Sequence, residues 1–140
     1  SRLPIWKTSM GLSYMAEMKP EIATELLDQL CRADPPNAAR IRRSVEEARV
    51  QYAERGFVSG FGVWYSYINA VGVAFRPTDG SPLVALTCGG IVDILPREKC
   101  LSEVGPVLVD LTRKLRARLA GEEKQPSTDA IKADWKTTAE

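Results

Sequence analysis

Apolar residues recur at helical spacing through the first third of the chain and then change to alternation. Met10, Tyr14 and Met18 stand four apart with Met15 alongside, which predicts a short helix over residues 9–18 capped by Thr8 or Ser9. Pro20 suits the first turn of a second helix, where its missing N–H is no loss, and Glu21 is favoured at the positive end. Ile22, Leu26, Leu27 and Leu30 form the expected inner face of that helix. The stretch ADPPN, residues 33–37, stops it. Asn37 is the expected cap of a third helix, in which Ala38, Ile41, Val45, Ala48 and Tyr52 step by three and four until Gly56 ends it.

From Phe57 the period becomes two. Tyr65, Tyr67, Asn69, Val71, Val73 and Phe75 alternate with Trp64, Ser66, Ile68, Ala70, Gly72 and Ala74, predicting a strand that starts among the aromatics and is covered on both faces toward its end. RPTDGS, residues 76–81, reads as a turn, and PLVALTCGG, residues 82–90, as the returning strand of a hairpin. Leu101, Val104, Leu108, Leu111, Leu115 and Leu119 mark a last helix with basic residues at its C-terminal end. Pro106 lies inside that pattern and predicts a break near Ser102 or Glu103. After Gly121 the chain turns polar and aperiodic, so residues 122–140 are expected to be a tail, with Ile131 and Trp135 as the residues able to dock.

Composition narrows the classes. With 140 residues, 44% of them hydrophobic, the chain can bury a core without a metal or a disulfide, and one soluble domain is expected. A formal charge of +1 gives no overall pull toward nucleic acid, an anionic membrane or an acidic substrate. The arginines of the third helix, Arg40, Arg42, Arg43 and Arg49, are interleaved with Glu46 and Glu47, which makes a solvated, partly self-paired face rather than a nucleic-acid patch. Cys31, Cys88 and Cys100 show no metal spacing and are expected to be free thiols in a cytoplasmic, reducing setting. No apolar run is long enough for a membrane span, and no secretory signal is read at the N-terminus. Because the chain starts at Ser1 rather than Met, it is expected to be a piece of something longer.

Catalytic chemistry has little to work with. Histidine is absent, which removes the commonest general base and any Ser–His or Cys–His activation. Cys88, inside an apolar strand, is expected to be packing. The glycines at 60 and 62 do not follow a strand and open a helix, so no dinucleotide fingerprint is present. No catalytic residue, metal site or cofactor is assigned.

Three segments carry a resemblance. LPIWKTSMGLSYMA at residues 3–16, YAERGF at residues 52–57 and AVGVAFRPTDGSPLVALTCGG at residues 70–90 together resemble the effector-binding domain of IclR-family transcriptional regulators, in order and over residues 3–121. That family typically shows LPLHATALGKA, a helix ending in RxxGY, an acidic D-x-E-E segment, an IAAPV strand and a D-x-x-G-x-x-x-A hairpin. The resemblance implies an α+β fold, a GAF-like or profilin-like antiparallel sheet flanked by helices, with the first strands of the full domain missing from this chain. It divides the chain into an effector-binding domain at residues 1–121 and a tail at residues 122–140. It further implies a small-molecule effector, assembly into dimers or tetramers, no membrane, and DNA contact only through an N-terminal winged helix-turn-helix absent here.

Effector contacts carried over from the family fall on Ser9 and Met10, with backbone N–H groups up to Gly11, on Ala70, Thr87 and Gly89, and on Gly60. Tyr14 and Phe61 join them as apolar walls. Where the family keeps its acidic segment this chain has Gly60, Phe61, Gly62 and Val63, and two further polar positions have become Ala70 and Gly89. Each hydrogen bond lost to a charged ligand forfeits roughly 1.5 to 3 kcal/mol, which disfavours a two- or three-carbon keto acid. Met10 adds bulk, and Trp6, Tyr14, Phe61, Trp64 and Tyr67 offer ring faces, so a flat aromatic or otherwise largely apolar organic acid is expected. A ligand-free domain serving only to oligomerise, with Trp64 and Tyr65 as contacts, is the alternative, and a free-standing enzyme or redox protein a third.

Overall fold

A computed structural model describes residues 4–121; Leu3 and the expected tail, including Ile131 and Trp135, lie outside the described residues. A 3-10 turn at Ile5–Lys7 leads into helix α1 (Ser9–Glu17). Thr8 is its cap, the hydroxyl accepting the Gly11 N–H at 3.0 Å. Helix α2 (Pro20–Ala33) opens on Pro20 as expected, but its buried stripe is Ala23, Leu27 and Cys31, with Leu26 and Leu30 packed beside it. Ile22 is 51% exposed instead, because the small Ala23 is the residue pressed inward and its neighbour is carried about a quarter turn away.

Helix α3 (Ala38–Arg55) buries Ile41, Val45 and Ala48 at the expected spacing and ends at Gly56, whose φ is +80°. Asn37 occupies the cap position without capping. Its backbone (φ −101°, ψ 3°) is that of a turn rather than the extended form a cap requires, and its Nδ2 donates to Asp34 Oδ2 at 2.9 Å. The charged face of α3 is partly self-paired, with Arg49 and Glu46 at 3.9 Å and Arg42 reaching Asp28 of α2 at 3.1 Å.

Strands β1 (Val58–Phe61), β2 (Ile68–Phe75) and β3 (Val84–Ile91) form an antiparallel sheet in the order β1-β2-β3. The hairpin around RPTDGS is present, with the Ser81 N–H held by Asp79 Oδ1 at 2.9 Å and Gly80 at φ +86°. The aromatic run is not strand. Residues 62–67 form the β1–β2 connection, in which Gly62 adopts φ +63° and the Ile68 N–H bonds the Tyr65 carbonyl at 3.0 Å. Trp64 therefore meets Tyr65 in a tilted contact at 4.3 Å and Tyr65 stacks on Tyr67 at 5.4 Å, rather than the three alternating across a sheet.

Register sorts the sheet residues onto two faces. Ala70 pairs with Gly60 and Gly89, and Gly72 with Val58 and Thr87, on the face covered by α1 and α3. Asn69, Val71, Val73 and Phe75 point the other way. The first core joins Trp6, Leu12, Met15, Leu27, Ile41, Val45 and Val58 between the helices and the sheet. The second gathers Phe57, Val71, Val73, Leu95, Cys100 and Leu108 beneath the C-terminal helical segment. Tyr52 ties α3 to the sheet by donating its hydroxyl to the Ala74 carbonyl.

That C-terminal segment runs from α4 (Arg97–Lys99) through a π turn (Cys100–Val104) into α5 (Gly105–Leu119). The irregularity falls on Ser102 and Glu103, where Pro106 predicts it, and takes the form of the Gly105 N–H bonding the Cys100 carbonyl five residues back. A π turn inserts one residue into the helical repeat, so the apolar stripe read as continuous does not stay on one side. Cys100, Leu108 and Thr112 are buried, whereas Leu111 and Leu119 are exposed. The fold is α+β, an antiparallel sheet flanked by helices on both faces.

Candidate functional site

The site begins with a close approach. Helix α1 starts directly over β2 at Gly72, where a Cβ would stand 2.5 Å from the Ser9 carbonyl oxygen and 3.1 Å from the Met10 nitrogen. Only the absence of a side chain lets the helix start rest on the strand. Ser9 is thereby buried against β3, its Oγ 3.3 Å from Thr87 Oγ1. Thr87 uses its proton on the Val71 carbonyl at 2.9 Å, which leaves the Ser9 hydroxyl as donor between the two.

Beside this hydroxyl pair opens a cavity of about 200 Å³. Ser9, Met10, Gly60, Ala70, Thr87 and Gly89, all expected site residues, line it together. The small residues are what make the space: Gly60, Ala70 and Gly89 are cross-strand partners on one face of the sheet, and larger side chains in that row would fill it. Val63 and Trp64 from the β1–β2 connection, Ile68 from the start of β2, and Lys7 and Thr8 from the segment before α1 complete the lining. Met10, Val63 and Trp64 are each more than 40% exposed, so the cavity is open at that rim.

A second, smaller lobe of about 70 Å³ adjoins it, sharing Lys7, Thr8, Ser9, Gly60 and Val63 and adding Trp6 and the polar residues Ser44, Glu47, Gln51 and Ser59. Gln51 is engaged there, its Oε1 accepting the Ser59 N–H at 2.9 Å. The larger lobe carries the Ser9 and Thr87 hydroxyls in its lining, and the smaller adds further polar groups beside the five residues they share.

Three expected residues lie elsewhere. Phe61 is on the opposite sheet face, because it is one residue out of phase with Gly60; it packs on the second core with the Arg97 guanidinium 4.8 Å from its ring centroid. Gly11 and Tyr14 lie farther along α1 and, with Ile5, Met18, Leu26 and Ala85, border a groove of about 410 Å³ that meets the cavity only at Thr8 and Met10. The Gly11 N–H is also taken by the Thr8 cap, so the first-turn donors with no acceptor inside the helix are those of Ser9 and Met10. Lys7, Thr8, Val63 and Ile68 line the cavity without being among the expected site residues. For Lys7 the available signal was a lone basic residue between Trp6 and the Thr8 cap, where a side chain projects past the helix start.

The arrangement offers hydroxyls, backbone N–H groups, one ammonium and apolar walls, which is binding chemistry. Among the described residues no cluster of His, Cys, Asp or Glu is placed to hold a metal ion, and no helix is long and apolar enough to cross a membrane.

No protein-family model matches the chain, and no curated protein is significantly similar to it. Solved structures are similar. An IclR-family transcriptional regulator from Brucella abortus superposes with a TM-score of 0.79 at 26% identity, over 84% of this chain and 44% of that one. The inducer-binding domain of the PobR transcription factor from Acinetobacter, a double mutant in complex with 3-hydroxybenzoic acid, gives 0.64 at 17% identity, over 82% of this chain and 66% of that one. The effector domain of a transcriptional regulator IclR from Acinetobacter sp. ADP1 gives 0.54 at 16% identity, over 79% and 67%. This chain thus spans less than half the length of the Brucella regulator. It has the fold of the effector-binding domain of IclR-family transcriptional regulators.

Proposed function

We propose that the chain is a sensor domain that binds a small aromatic, or otherwise largely apolar, organic acid in the cavity between the start of α1 and the sheet. The observation that carries this reading is the row Gly60, Ala70 and Gly89, which leaves about 200 Å³ of mostly apolar space beside the Ser9 and Thr87 hydroxyls. A closed apolar cavity of roughly 150 Å³ accepts benzene, so one aromatic ring fits this scale. Burying such a ring contributes a few kcal/mol, about the amount that lost polar contacts would take from a two- or three-carbon acid. The open lobe speaks against a collapsed, ligand-free domain.

The binding equilibrium serves regulation in a longer protein, whose DNA-binding part lies outside this chain, and the domain acts in the cytoplasm as a dimer or tetramer. Trp64 and Tyr65, in tilted ring contact and each 44% exposed, supply apolar surface for self-association. Calorimetric titration with benzoate and 3-hydroxybenzoate against pyruvate and glyoxylate tests the ligand class. Saturable binding of an aromatic acid with none of the keto acids supports the reading; the reverse order rejects it.

A further inference from the structure

Resting on the reading of this cavity as an effector site, we propose that Lys7 is its specificity-determining residue for anions, receiving the ligand carboxylate at the seam between the two lobes. Lys7 lines both lobes and, among the described residues, is the sole cationic side chain in the lining of either. It is half-buried, and its ammonium stands 5.1 Å from the ring centroid of Trp6, itself 5% exposed. Arg40 lies over the same ring at 5.3 Å, so two cations share the Trp6 indole. The indole therefore fixes where the Lys7 stem can reach.

No carboxylate among the described residues pairs with this charge. Among the described residues the ion pairs are those of Arg42, Arg49, Arg113 and Lys114, and none includes Lys7. An ammonium partly stripped of water by an indole and apolar walls, with no carboxylate to answer it, gains more from an incoming anion than a fully solvated lysine would. Among the described residues the larger lobe has no carboxylate in its lining and the smaller has one, Glu47, which likewise has no ion-pair partner among them. Glu47 is thus the competitor for Lys7. A ring seated among Val63, Ile68 and Ala70 directs a carboxylate substituent back to the shared residues Lys7, Thr8 and Ser9, where the unpaired first-turn N–H groups also lie.

Calorimetry on the full chain with benzoate and its neutral isostere benzamide separates charge recognition from ring burial. The wild type is expected to prefer benzoate. Lys7→Gln is expected to weaken benzoate by at least about tenfold and to leave benzamide unchanged, with Lys7→Arg retaining most of the preference. Glu47→Gln is expected to leave benzoate binding intact or tighten it. Equal effects of Lys7→Gln on both probes, no effect on either, or a loss in Glu47→Gln matching that in Lys7→Gln would overturn the assignment while leaving the sensor reading standing. Failure of both probes on the wild type would overturn the sensor reading itself, and the role of Lys7 with it.

Discussion

Ser9 Oγ and Thr87 Oγ1 lie 3.3 Å apart, joining the first residue of α1 to the middle of β3 across 78 positions of chain. Thr87 passes the link on to the Val71 carbonyl at 2.9 Å, so helix start, edge strand and central strand meet in one chain of hydrogen bonds at the cavity floor. Replacing Thr87 by Val keeps the shape and removes both bonds. Thr87→Val is expected to lower unfolding free energy by about 1 kcal/mol, read from the urea midpoint, and to weaken aromatic-acid binding beyond that loss of stability.

The same floor depends on Gly72. Both atoms that a Cβ would strike first, the Ser9 carbonyl oxygen at 2.5 Å and carbon at 2.8 Å, are backbone and cannot swing aside. Gly72→Ala is expected to push α1 off β2, costing roughly 1 to 3 kcal/mol and lowering Tm by several degrees. An unchanged Tm would show that the helix rides higher on the sheet than described.

Tyr52 carries a pH dependence. Burial, reinforced by the Glu17 carboxylate, raises its phenol above the usual value of 10.0. The folded state therefore holds the proton more tightly than the unfolded state does. The stabilisation is complete below the unfolded value and falls away as pH rises from about 10 toward the folded value. Tyr52→Phe is expected to be less stable at pH 7, having lost the bond to the Ala74 carbonyl, and to show a flatter decline in stability above pH 10 than the wild type.

The cysteines separate by exposure. Alternation places Cys88 in an apolar strand and makes it an expected packing residue, yet it is exposed, because it stands on the edge strand β3, beyond its partner Val71 on the same sheet face. Cys31 and Cys100 are buried, and burial raises the Cys100 thiol further. A colorimetric thiol reagent is expected to titrate one thiol per native chain promptly and the other two only on unfolding. Cys88→Ser abolishes the prompt phase if the exposure is as described, and a surviving prompt phase would place it elsewhere.

Much of this was written in the sequence where one physical signal dominated. Ile41, Val45 and Ala48 announced α3 because helical spacing and burial coincide there, and Thr8 and Pro20 announced helix starts because first-turn geometry depends on single residues. The aromatic run misled because Trp64, Tyr65 and Tyr67 continue an alternation into which Gly62 inserts a chain reversal. Phe61 misled for a related reason: which sheet face a residue takes depends on register with β2, and register is not local. The exposure of Leu111 follows from the extra residue of the π turn, a consequence of Pro106 that periodicity alone does not carry. Six of the nine expected site residues meet around one cavity because resemblance aligned the helix start and the two strands that frame it. Lys7 lay outside that pattern.

The most direct measurement of the central claim is a two-dimensional amide NMR titration of the full chain with benzoate. The account predicts saturable shifts concentrated at Ser9, Met10, Gly60, Ala70, Thr87 and Gly89, with the exposed face of α5 around Leu111 unaffected. Shifts confined to α5 or to the groove at Tyr14, or no shifts at any amide, would contradict it.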